Sequence, residues 1–120
     1  MEPQTNSFRV AVRSREGLTV LDLSGDIDGF ADAALDMAYS EAESHDTPAI
    51  LLNFASVGYI NSTGIALIVG LLARARKNHR RLVTSGLSEH YREIFNITRL
   101  SDFMTVFADE ESALQEVVGI

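Results

Sequence analysis

Apolar and polar residues alternate through Phe8-Arg9-Val10-Ala11-Val12, and a second strand-like run follows at Leu18-Thr19-Val20-Leu21-Asp22-Leu23. Glu16-Gly17 lies between them as a turn, so the two runs predict an antiparallel hairpin. Gly25-Asp26-Ile27-Asp28-Gly29 breaks that pattern. From there the apolar period changes to that of a helix. Phe30, Ala33, Ala34, Met37, Ala38 and Ala42 predict an amphipathic helix over 30–44, with this stripe inward and acidic residues outward. His45-Asp46-Thr47-Pro48 ends it. Ala49-Ile50-Leu51-Leu52-Asn53-Phe54 is a short, continuous apolar run, which suits a central strand buried on both faces.

The chain over 62–78 is apolar almost all the way round and predicts a second helix, opened by Asn61-Ser62-Thr63-Gly64. Arg81-Leu82-Val83-Thr84-Ser85 is strand-like and ends at Gly86. Ser88 can cap a third helix whose inward residues are Tyr91, Ile94 and Phe95. Met104-Thr105-Val106-Phe107 forms a last short strand, and Asp109 caps a final helix carrying Ala113, Leu114, Val117 and Val118. The order ββαβαβαβα predicts a single α/β domain over 7–118. Its sheet is mixed and mostly parallel, opened by the N-terminal hairpin, with helices packed on it. A flexible tail is expected over residues 1–6, and no linker or repeat interrupts the rest.

Composition narrows the function classes. With no cysteine, the chain has no disulfide, thiolate zinc site or cysteine nucleophile. The start of the chain lacks the apolar core of a secretory signal. The longest apolar run, 65–75, would span only about 16 Å as a helix, roughly half a bilayer core. A soluble, cytoplasmic protein with no membrane partner is expected. The net charge of −7 argues against nucleic acid as a partner. Five of the ten basic residues, Arg74, Arg76, Lys77, Arg80 and Arg81, lie together after the apolar run, where cations complement a helix C-terminus.

No phosphate-cradling Gly-x-x-x-x-Gly-Lys-Ser/Thr or Gly-x-Gly-x-x-Gly occurs. His45, His79 and His90 are dispersed, so no metal or other cofactor is expected. Ser62 lacks a Gly-x-Ser-x-Gly elbow, which sets hydrolase chemistry aside. Asp22, Asp26 and Asp28 resemble a carboxylate cluster, but Asp26 and Asp28 suit the turn leaving the second strand. The sequence does not point to an enzyme.

Longer stretches carry a resemblance. Leu23-Ser24-Gly25-Asp26-Ile27-Asp28, then Leu51-Leu52-Asn53-Phe54-Ala55-Ser56-Val57-Gly58-Tyr59-Ile60, then Asn61-Ser62-Thr63-Gly64-Ile65 come in this order. Ile94-Phe95-Asn96-Ile97 and Ala113-Leu114 follow. The chain resembles STAS domain proteins of the bacterial anti-sigma factor antagonist family. That resemblance implies a regulator of transcription in a stress response, acting by partner switching. The unphosphorylated antagonist binds an anti-sigma factor that is also a serine kinase, and so frees the sigma factor. The kinase ends the interaction by phosphorylating a serine at the start of the second helix, and a serine/threonine phosphatase restores it.

By position the acceptor is Ser62, with Thr63 a second hydroxyl. Asp26, Asp28, Gly29, Tyr59, Ile60, Asn61, Ser62, Thr63, Gly64 and Ile65 would form the partner-binding surface. The residues themselves allow a plainer role. Asn61 and Ser62 are both good N-caps, Gly64 suits a close approach of helix to strand, and Ile65 suits the core. The family usually carries Asp where this chain has Asn61, which keeps the capping oxygen and loses the charge. Two other functions remain open: an unswitched scaffold in a larger sensory assembly, and a sensor of a small molecule or nucleotide. A monomer or weak dimer is expected.

Overall fold

Glu16 and Gly17, both at positive φ (47° and 90°), close the first turn. A two-residue loop of that hand matches the twist of neighbouring strands, and it joins β1 (Arg9–Arg15) to β2 (Leu18–Ile27) as an antiparallel hairpin. The computed structural model describes residues 7–119; the tail expected over residues 1–6 lies outside the described residues. After β2 come α1 (Asp32–Ser44), β3 (Ala49–Ile60), α2 (Ser62–Lys77), β4 (Arg81–Ser85), α3 (Glu89–Ile97), β5 (Thr105–Phe107) and α4 (Glu110–Val118). The strands stand in the order β1-β2-β3-β4-β5, with β2 through β5 parallel. This is the element order and the mixed sheet that the sequence predicts.

Strand alternation divides the core in two. Leu21, Leu23, Ile50, Leu52, Phe54 and Leu82 face α1, α2 and α3, where Leu35, Tyr39, Ile68, Leu72, Tyr91 and Phe95 meet them. Leu18, Val20, Ala49, Leu51 and Val83 face the other way, against Ala113 and Leu114 of α4. Ser88 and Asp109 cap α3 and α4 as expected, accepting hydrogen bonds from the Tyr91 and Ser112 amides. Among the described residues no helix is long and apolar enough to cross a membrane.

Two expectations are corrected. The first concerns which face α1 buries. Phe30 and Met37 are 96% and 72% exposed, and Ala33 and Ala34 are exposed too. The buried stripe is Ala31, Leu35, Ala38, Tyr39 and Ala42. Two apolar stripes share Ala38 and Ala42, and the face that meets the sheet is the one with Leu35 and Tyr39, which pack in the same cluster as Leu21, Leu23, Ile50 and Leu52. Phe30 belongs not to α1 but to a single 3-10 turn, Gly29–Ala31, that precedes it.

The second correction is to strand length. β2 continues through Gly25 and Asp26 to Ile27, and β3 continues from Phe54 to Ile60. Asp22 pairs with Asn53, but Ser24 pairs with Ser56 and Asp26 with Tyr59. Two extra residues are thus accommodated in β3 as bulges, which interrupt the alternation that marks a strand in sequence.

An ion-pair network fastens α4 to the hairpin. Arg13 donates to Asp22 at 2.6 Å and to Glu110 at 3.0 Å, and Arg15 donates to Glu110 at 2.7 Å and also pairs with Glu111. Hydrogen bonds from Arg13 hold the Asp22 and Glu110 carboxyls below their ordinary values of 3.8 and 4.5. Carboxyls depressed in the folded state stabilise it above their unfolded pKa, and that contribution is lost as the pH falls through the folded value. The network is therefore at full strength above about pH 5 and fades below about pH 4. Urea midpoints taken from neutral pH down to about pH 3 should fall more steeply for the wild type than for Arg13→Gln. Parallel curves would show that the network contributes nothing to folding.

Candidate functional site

The parallel pairing of β2 and β3 brings their C-terminal ends side by side, with Asp26 opposite Tyr59 and Ile27 opposite Ile60. The segments that leave these ends are joined by one main-chain bond, Asn61 N–H to the Ile27 carbonyl at 3.2 Å. Asn61 is the N-cap of α2: its Oδ1 accepts from the Gly64 amide at 2.8 Å. Ser62 is therefore the first residue inside the helix rather than its cap. It is exposed, and its hydroxyl has no hydrogen-bond partner among the described residues. The Ser62 and Thr63 amides have no intrahelical partner, and the helix dipole gives this end partial positive charge.

Gly64 explains how α2 can begin so close to β2. A Cβ there would fall 2.1 Å from the Ile27 carbonyl oxygen and 2.9 Å from Ile60 Cγ2. Gly29 lies beside Thr63, since a Cβ on Gly29 would be 3.6 Å from Thr63 Cγ2. Asp28 caps the 3-10 turn through the Phe30 amide at 2.9 Å, whereas Asp26 stays within β2, next to Gly58. Asp22 points into the Arg13 network and receives a hydrogen bond from Asn53 at 2.8 Å. The three aspartates thus do not form one cluster. Among the described residues, no three His, Cys, Asp or Glu side chains gather in a way that could hold a metal ion.

The surface around Ser62 consists of Tyr59, Thr63 and Gly29, all exposed, with Asp26, Asp28, Asn61 and Ile65 partly exposed. Ile60, 5% exposed, and Gly64 lie beneath it and support it. The sequence pattern did not disclose one supporting residue. The Tyr91 hydroxyl accepts from the Ile60 amide at 2.9 Å and donates to the Ile60 carbonyl at 3.4 Å. It clamps the last residue of β3, immediately before the cap. Its apolar period marks Tyr91 only as an inward residue of α3; the single clue to more is that a buried tyrosine needs a partner for its hydroxyl. Tyr91→Phe should leave the Ile60 amide buried and unpaired, at a cost of about 1–2 kcal/mol by urea unfolding. An unchanged midpoint would mean that water replaces the hydroxyl.

The STAS domain family model matches residues 9–113. The chain belongs to the STAS domain family. Over 100 residues, this STAS domain is 31% identical to the anti-sigma-B factor antagonist of Staphylococcus aureus, covering 83% of this chain and 93% of that protein. Among solved structures, an anti-sigma factor antagonist from Mycobacterium paratuberculosis superposes with a TM-score of 0.80 at 21% identity, over 92% of this chain and 94% of that one, which speaks to the fold. The anti-sigma factor antagonist SpoIIAA in its unphosphorylated form gives a TM-score of 0.73 at 26% identity, over 95% and 98% of the two chains. Its phosphorylated form gives 0.68 at 25% identity, over 92% and 99%. The STAS domain described here thus falls among the anti-sigma factor antagonists, whose names are those of regulators rather than enzymes.

Proposed function

We propose that this STAS domain is a phosphorylation-switched antagonist. Unphosphorylated, the surface around Ser62 binds an anti-sigma factor that is also a serine kinase, and a sigma factor is released. That kinase phosphorylates Ser62 and ends the interaction, and a serine/threonine phosphatase restores it. The observation that carries this reading is the state of the Ser62 hydroxyl: exposed, without a hydrogen-bond partner among the described residues, and not used as the cap because Asn61 does the capping. The existence of SpoIIAA in a phosphorylated form supports it as well.

The physics of the helix end suits a reversible charge. Free amides and the dipole accommodate a phosphate on Ser62 without cost to the fold. The same phosphate adds about −1.5 to −2 charges to a docking surface, where repulsion and desolvation act against the complex. Asn61 supplies the cap without a carboxylate beside the acceptor.

The test is to incubate the protein with ATP and the anti-sigma serine kinases of its own organism, then map phosphate by mass spectrometry. Phosphate on Ser62, absent from Ser62→Ala, is the expected result. A kinase that binds but leaves no phosphate would overturn the switch and favour an unswitched scaffold.

A further inference from the structure

Two apolar crests run side by side on the solvent face of α1 and α2. On one, Phe30, Ala33 and Met37 are exposed at spacing i, i+3, i+7; on the other, Ala66, Val69 and Ala73 follow Ser62 at i+4, i+7 and i+11. No charged residue occurs between Ser62 and Ala73. A helix apolar on all sides is normally covered on all sides, and α2 is not. Between the crests lies a groove of about 250 Å³, walled by Asp32, Leu35 and Asp36 of α1 and by Ala66, Leu67 and Gly70 of α2. Arg74 closes its far end, held by Asp36 at 2.8 Å and by Glu43 at 2.6 Å. Toward the start of α2, four residues before Ala66, lies the exposed Ser62, with Gly29 beside Thr63 and the Phe30 ring exposed.

We infer that this groove seats one amphipathic helix of the anti-sigma factor, a helix with an apolar seam flanked by lysine or arginine. The inference rests on the antagonist reading above and extends it from the serine to the surface behind it. Charge selects the occupant. Of the charged residues on the groove wall, Asp36 is paired with Arg74, and Asp32 is exposed with no ion pair among the described residues. The chain's net charge of −7 sets a second copy of itself against this acidic wall, whereas a basic flank meets it favourably.

Shape agrees with the choice. From Ser62 to Ala73 the α2 crest is about 16 Å long, three turns of a docked helix. Gly70 lowers the helix propensity of α2, yet a Cβ there would meet nothing within 4 Å, so its own fold gives no reason for it. A helix backbone lying close against that spot does give one. Phe30 provides the exposed aromatic that anchors such interfaces. Ser62 lies about one turn before Ala66 on the same crest, so a phosphate there stands beside the seat.

The experiment titrates the cognate anti-sigma kinase calorimetrically into the wild type, Ser62→Asp, Gly70→Leu, Phe30→Ala and Asp32→Lys, with melting curves for each. Gly70→Leu and Phe30→Ala should weaken binding about a hundredfold at an unchanged or higher melting midpoint. Asp32→Lys should weaken it about tenfold at low salt and less at high salt. Should Gly70→Leu prove unstable, Ala66→Lys on the exposed crest obstructs the same groove. Wild-type affinity in the groove variants, with binding lost in Ser62→Asp, would overturn the seat and leave the antagonist reading standing. A wild type that binds no anti-sigma kinase would remove that reading, and the seat with it. A wild-type dimer by light scattering that Gly70→Leu dissociates would assign the groove to a second copy instead.

Discussion

Gly64→Ala should lower the stability of the domain by about 3 kcal/mol or more, a fall of roughly 10 °C in the melting midpoint for a chain of this size. The added Cβ would stand 2.1 Å from the Ile27 carbonyl oxygen and 2.8 Å from the carbon that bears it. These are backbone atoms of β2 where it pairs with Ile60 of β3, so no side-chain rotation relieves the contact. The start of α2 has to move away from β2, which strains the Asn61 to Ile27 bond and the cap on Gly64 together. Gly70→Ala is the control in the same helix: with nothing within 4 Å of its Cβ, it should gain about 0.5–1 kcal/mol. Equal midpoints for the two variants would show that α2 does not begin against β2 as described.

Ser62→Asp should weaken binding of the cognate anti-sigma kinase about a thousandfold, the equivalent of roughly 4 kcal/mol, while Ser62→Ala should bind as the wild type does. The change acts on the interface and not on the fold. At the first position of α2 a carboxylate faces free amides and the positive end of the dipole, so the melting midpoint should hold or rise slightly. A drop in affinity with no drop in stability is the signature of the switch. If Ser62→Asp bound as tightly as the wild type, electrostatic exclusion would not be how phosphate acts here. Asn61→Asp, tested beside it for phosphorylation rate, would isolate what a carboxylate next to the acceptor adds.

How far the sequence could be read depended on whether local pattern and tertiary contact agreed. β4, α2 and the caps at Ser88 and Asp109 are local matters, and alternation, period and capping chemistry place them. The outer half of β3 failed because Phe54, Val57 and Ile60 face the same core at intervals of three, which no strand period anticipates, and that of β2 because Gly25 and Asp26 read as turn residues. The face of α1 failed because its sequence offers two stripes, and only the neighbouring sheet decides between them. At the candidate site, Asn61, Ser62 and Gly64 were legible as a helix start. That Asn61 rather than Ser62 would be the cap was not, since both residues can do it. The nearness of Gly29 to Thr63 and the grip of Tyr91 on Ile60 depend on contacts more than thirty residues apart in the chain.

The bulges in β3 set a counting rule for this stretch. Each extra residue inverts which side of the strand looks inward, and the second inversion cancels the first. Ile60 consequently arrives at the core on the same beat it would have kept in an uninterrupted ladder. Loss of one residue between 55 and 58 removes one bulge together with the inversion it causes, so Ile60 still meets Ile27 and faces the core. Loss of two removes both bulges and straightens the strand. Shortening here by one or two residues should therefore leave Ser62 where it stands, and a third loss, with no bulge left to absorb it, should pull α2 out of place.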